Sequence, residues 1–188
     1  MSSHLDYEIN KELGECYLFM GDLEKAEEYY QKAVGSNGVH PDPYLGLATI
    51  AVQRGELDNA LALYRKASSI EPNDKSLTGM ALVEMEIGSN SEAFEHFEGA
   101  LIHNPENLVA IFGIIQLGYI TEQVEQVIPY LQTTLEVNPL KDDVRFSLAG
   151  CLATIGKKDE ALKELDEVLS RDPQNKPALE LYEQISLS

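Results

Sequence analysis

Glycine recurs along this chain at a nearly constant step, and that recurrence limits the fold more than any other feature. Gly21, Gly55, Gly88 and Gly156 fall in a register of about 34 residues, with Glu122 in the vacant slot. The small residues Ala26, Ala60, Ala93, Val127 and Ala161 keep the same step. So do Tyr30, Tyr64, Phe97, Leu131 and Leu165. Pro72, Pro105, Pro139 and Pro173 close four of the five units. A period of this length is the mark of a stacked repeat, in which each unit contacts mainly its neighbours.

Each unit reads as two short helices. Pro41 to Asp74 is the cleanest: Tyr44, Leu47, Ala48 and Ala51 lie at the spacing of one helix face, and Gly55 breaks the run. Ala60, Tyr64 and Ala67 then share a face of a second run, which Pro72 stops. Neither helix can bury its apolar stripe alone, so the hairpin requires neighbours.

These residues resemble the tetratricopeptide repeat family, whose pattern is a large residue, Leu-Gly, Tyr, Ala-x-x-x-Phe and Pro. Leu13-Gly14 with Tyr17 is the closest copy of its first helix. The resemblance covers residues 7–175. It implies an all-α, right-handed superhelical array (solenoid) of five helix-turn-helix hairpins. Their bounds are 7–40, 41–73, 74–107, 108–141 and 142–175. Ala178, Tyr182 and Ile185 then make one face of a capping helix at 176–187, with Leu179 and Leu181 on its outer side. The whole of 1–188 is expected to be one array.

Several units depart from the pattern. At the first helix, Leu5, Ile9, Leu13 and Cys16 or Tyr17 follow helical spacing. Gly35 and Gly38 are expected to end the second helix with positive φ, and Gly35 to Pro43 is the loosest linker. The fourth unit differs most. Ile115, Val127 and Thr134 replace smaller residues, and Thr121-Glu122 replaces the turn glycine. Larger side chains are expected to loosen its packing. Pro129 is expected in the tolerant first turn of its helix.

Net charge is −18, which disfavours phosphate backbones and anionic membranes. No Lys or Arg lies between Ser76 and Leu140, where Glu84, Glu86, Glu92, Glu95 and Glu98 fall on helices expected to face water. Such a run is read either as a solvated face or as attraction for a basic partner. Cys16 and Cys151 occupy equivalent places next to core residues and read as buried thiols of a reducing compartment. No basic region followed by an apolar run marks a secretory leader, and no stretch is apolar enough to insert in a membrane. The expected location is cytoplasmic.

Nothing in the sequence assembles chemistry. His4, His40, His96 and His103 lack the spacing of a helical metal pair. No calcium loop, phosphate-cradling glycine turn or nucleophile with a local base is present. The reading is of a non-enzymatic chain with no cofactor and no metal.

In the family the first helices of successive repeats line a concave, peptide-binding surface. The resemblance projects Glu8, Lys11, Glu15, Leu18 and Phe19 onto it from the first repeat, then Asp42, Leu45, Thr49 and Val52 from the second. Thr78, Lys75, Leu82, Met85 and Glu86 follow, then Phe112, Gln116, Tyr119 and Ile120, and finally Phe146 and Thr154. Leu82, Met85, Phe112, Tyr119, Ile120 and Phe146 are expected to form one apolar patch. One subgroup of the family clamps a C-terminal carboxylate with Lys, Asn and Arg. Lys11 and Lys75 match that clamp, but Glu15, Gly46 and Gly79 stand where its other donors would be. The expected ligand is instead a protein or peptide with apolar anchors and some Lys or Arg. The alternatives are self-association into a homo-oligomer, a chaperone for a dedicated client, and a regulatory module of a larger protein.

Overall fold

The computed structural model describes residues 2–187, and every regular element among them is an α-helix. The helices fall into two units, divided between His103 and Asn104. The first holds α1 (Ser2–Phe19), α2 (Leu23–Ser36), α3 (Asp42–Gln53), α4 (Leu57–Ile70), α5 (Asp74–Glu86) and α6 (Asn90–His103). The second holds α7 (Leu108–Ile120), α8 (Val124–Val137), α9 (Asp142–Thr154), α10 (Lys158–Arg171) and α11 (Lys176–Leu187). Packing is sequential. In the first unit α1 pairs with α2, α3 with α4 and α5 with α6, while α2 stacks on α3 and α4 on α5. In the second unit α7 pairs with α8 and α9 with α10, α8 stacks on α9, and α11 covers α9 and α10.

The repeated small residues explain the hairpins. Ala26, Ala60, Ala93, Val127 and Ala161 are all fully buried, so each second helix presents little bulk where the next helix must approach. Tyr30, Phe97, Leu131 and Leu165, on the same face of their helices, are buried as well. Asn73, Asn107 and Asn175 start α5, α7 and α11 by accepting from Ser76, Ala110 and Ala178 backbone N–H groups at 2.9, 3.0 and 3.1 Å.

The turns share one geometry. Gly21, Gly55, Gly88 and Gly156 take φ of 79°, 75°, 82° and 82°. The residue after each donates back to the preceding helix, as Glu56 N does to Ala51 O at 2.9 Å. Glu122 adopts the same conformation at φ 59°, and Gln123 N reaches Gly118 O at 2.7 Å. The fourth turn therefore keeps its hydrogen bond and carries the strain of a side chain in the left-handed region. That strain is ~1–2 kcal/mol, partly offset by the extra freedom a glycine loses on folding. Glu122→Gly is expected to raise stability by about 1 kcal/mol, read as a higher midpoint in urea; a lower midpoint would refute the strain.

Some expectations need correction. Leu5 and Ile9 are exposed, while Tyr7 is buried against His40 with ring centroids 4.6 Å apart. The Leu5 and Ile9 side of α1 thus faces water, while Leu13 is half-buried and Tyr17 packs against Ala26 and Tyr30 of α2. Cys16 lies on that exposed face; only Cys151 is buried, and burial pushes its thiol up. Gly35 lies inside α2, and neither it nor Gly38 has positive φ; the helix ends through an extended Asn37 whose N–H bonds Ala33 O at 2.9 Å. Pro129 is in the second turn of α8, not the first. It is exposed, as is Glu125, so water reaches the carbonyl left without its helical donor. Glu84 is not solvated: it is 2% exposed. The α7–α8 hairpin is the loosest of the five, in line with its larger residues. Thr134 compensates there by donating its hydroxyl to Pro105 O at 2.6 Å.

Candidate protein-binding face

The odd-numbered helices α1, α3 and α5 converge on one side of the first unit. A cleft of ≈ 260 Å³ there is lined by Glu15 and Leu18 of α1, Asp42, Leu45 and Thr49 of α3, and Lys75 of α5, with Tyr30 and Tyr64 at its base. A second, more apolar cleft of ≈ 430 Å³ is lined by Val52, Leu57, Leu82, Val83 and Glu86, and Tyr64 borders it too. Lys11 is mostly covered and bonded to Glu8 at 3.2 Å. Thr49 donates its hydroxyl to Leu45 O at 3.0 Å. Leu82 is exposed, Met85 is half-buried and Thr78 is buried.

In the second unit α7 is the conspicuous element. Its sequence LVAIFGIIQLGYI has no charged residue. Val109, Phe112, Tyr119 and Ile120 nevertheless remain 44–57% exposed. Gln116 is exposed among them, and Phe146 of α9 is half-buried. Thr154 donates to Gly150 O at 2.9 Å, so the Tyr119 hydroxyl, 3.3 Å away, donates to Thr154. Desolvation raises the Tyr119 pKa. Tyr119, Gly150 and Thr154, with Leu181 and Gln184 of α11, border a cleft of ≈ 400 Å³. Leu82 and Met85 belong to the first unit, and Phe112, Gln116, Tyr119, Ile120 and Phe146 to the second.

Two residues of the face escaped the sequence reading: Tyr30 and Tyr64, taken there only as core positions of second helices. A Cβ on Gly46 would lie 2.2 Å from the Tyr30 ring, and one on Gly79 would lie 2.3 Å from the Tyr64 ring. The rings occupy the space that clamp side chains at those positions would need, which accounts physically for the glycines. The available signal was a glycine inside a helical run, which costs ~1 kcal/mol against alanine and so implies a close neighbour.

Among the described residues no three His, Cys, Asp or Glu side chains come together as a metal site. No described helix is long and apolar enough to cross a membrane.

Sequential helical hairpins with an open first-helix face define a helical-repeat scaffold. The tetratricopeptide repeat matches residues 11–74 and again 120–185. The chain belongs to the tetratricopeptide repeat family, whose members bind protein partners. Among similar proteins, the BBSome complex member BBS4 of Bos taurus is 35% identical over 109 residues, which is 57% of this chain and 21% of that protein. The CTR9 homolog of Arabidopsis thaliana is 28% identical over 110 residues, 56% of this chain and 10% of that protein. The chain thus spans no more than about a fifth of either relative. The solved structure of YrrB, a TPR protein with an unusual peptide-binding site, is 29% identical with a TM-score of 0.69, covering 86% of this chain and 84% of its own. The pilF structure of Pseudomonas aeruginosa has a TM-score of 0.75 at 20% identity over 100% of this chain and 86% of its own, a likeness of fold.

Proposed function

We propose that the chain is a non-enzymatic scaffold that binds an apolar, partly basic peptide or helix on its first-helix faces. The observation that carries this reading is α7, an uncharged helix that leaves Phe112, Tyr119 and Ile120 open to water. Aromatic side chains held half-exposed supply contact energy once a partner covers them. At roughly 25 cal/mol per Å², covering ~300 Å² contributes about 7 kcal/mol before ordering costs. The kinship to a protein with a peptide-binding site supports the same reading. The acidic balance of the chain favours basic partners over nucleic acid. In a pull-down from native lysate, Phe112→Ala/Tyr119→Ala is expected to reduce partner recovery at least ~10-fold. Circular dichroism should stay unchanged, because both side chains are already half-exposed. Equal recovery by both proteins would sink this reading.

A second reading rests on α1. Leu5, Ile9, Phe19 and Met20 are 48–95% exposed, and the first two share their face with Cys16. Such a face suits a subunit contact, either with a second copy or within a larger assembly of the kind to which BBS4 belongs. Light scattering over a concentration series decides between the first possibility and a monomer.

A further inference from the structure

We propose that the cleft between α1, α3 and α5 receives one Lys or Arg side chain of the bound peptide, held by Glu15, Asp42 and the Tyr30 hydroxyl. This deepens the peptide-binding reading and rests on it.

Tyr30 is the odd member of the site. It is 3% exposed, and its ring is wedged between Gly14 and Gly46. It lines the cleft, yet its hydroxyl has no hydrogen-bond partner among the described residues. The hydroxyl opens on the cleft, where a donor entering from solvent can reach it. It is therefore free to accept from a donor outside the chain. Burial, with Glu15 and Asp42 nearby, pushes its pKa up to about 12, so it stays a neutral phenol with a free lone pair.

The charges around it favour a cation. Neither Glu15 nor Asp42 has an ion-pair partner among the described residues. Lys11, near Glu15, is already held by Glu8 at 3.2 Å. Lys75, exposed on α5, is the remaining cation of the lining. Two carboxylates and a phenol oxygen present the acceptors that an ammonium or guanidinium needs, since both of those groups only donate. Tyr64 separates this cleft from the apolar one bordered by Val52 and Leu82. The occupant is then a segment that places a basic side chain on one side of the Tyr64 ring and an apolar one on the other.

The test is selection of a phage-displayed random dodecamer library on the immobilised chain. The expected pool is enriched in Lys or Arg close to an apolar residue. That enrichment should fall about tenfold on Glu15→Gln/Asp42→Asn and on Tyr30→Phe, as for loss of charge-assisted contacts at a partly exposed site. Glu125→Gln/Glu136→Gln removes the same charge from α8 and should leave it unchanged. A pool without basic residues would overturn the cation site and leave peptide binding standing. So would an enrichment indifferent to Glu15, Asp42 and Tyr30, or one equally sensitive to the α8 control. Recovery no better than on empty resin would overturn both readings. The Glu15→Gln/Asp42→Asn variant changes only exposed side chains, so its outcome does not depend on how well Tyr30→Phe folds.

Discussion

Replacing His96 by alanine is expected to lower stability by about 3 kcal/mol, among the largest single effects available in this chain. Glu84 on α5 is 2% exposed, and His96 Nδ1 on α6 stands 2.6 Å from its Oε2. Burying a carboxyl group without a partner is costly, and breaking a buried pair typically costs ~3–5 kcal/mol. The lower end applies because the His96 side chain is 30% exposed, so water can enter part of the space it leaves. For a chain of this size the loss corresponds to a fall in Tm of about 6–12 °C. The double replacement Glu84→Leu/His96→Leu removes both polar partners and should lie within about 1 kcal/mol of the wild type. Thermal unfolding followed by circular dichroism reads both. A loss under about 1 kcal/mol for His96→Ala would mean that Glu84 is hydrated in solution and the pair contributes little.

That pair also marks the limit of what the residues alone disclose. The hairpins, their turns and the buried alanines follow from short-range spacing, because each depends on a glycine, a small residue or a proline at a fixed step. Glu122 was legible for the same reason: it fills a turn slot where its neighbours in phase are glycines, and it takes their φ. Glu84 was not. It sits in a run of acidic residues, and its burial depends on an imidazole that only the paired helix supplies. The Leu5 and Ile9 face failed for a related reason. Helical spacing identifies an apolar stripe, but it does not say whether another helix lies against it, and Tyr7 took the buried side instead.

The proposed binding face divides in the same way. Glu15, Leu18, Asp42, Leu45, Thr49 and Lys75, all on first helices, line one cleft. The tyrosines at its base belong to second helices, and they reach the face only because Gly14, Gly46 and Gly79 leave room. The feature that gives the cleft its hydroxyl is therefore a packing consequence, invisible to a list of outward-facing positions.

Gly46→Ala should accordingly destabilise the chain by about 2 kcal/mol, although it places the best helix former inside a helix. The propensity gain is ~1 kcal/mol. Against it stands a Cβ 2.2 Å from the Tyr30 ring, well inside contact distance. The ring has no easy retreat, since a Cβ position on Gly14 lies only 2.7 Å from it. Overpacking of this kind costs ~1–3 kcal/mol, and the confinement on two faces argues for the upper end. The competing terms can be separated. In a Tyr30→Leu background the clash is gone and the propensity term survives, so Gly46→Ala should become stabilising by about 1 kcal/mol. Gly79→Ala is the internal comparison: its Cβ would meet the Tyr64 ring at 2.3 Å, but Tyr64 is half-buried and can swing outward at less cost. Urea unfolding of the variants measures all three differences. If Gly46→Ala had the same sign with and without Tyr30, ring confinement would not be what keeps glycine at this position. The Tyr30 hydroxyl would then lose the wedge that holds it at the cleft.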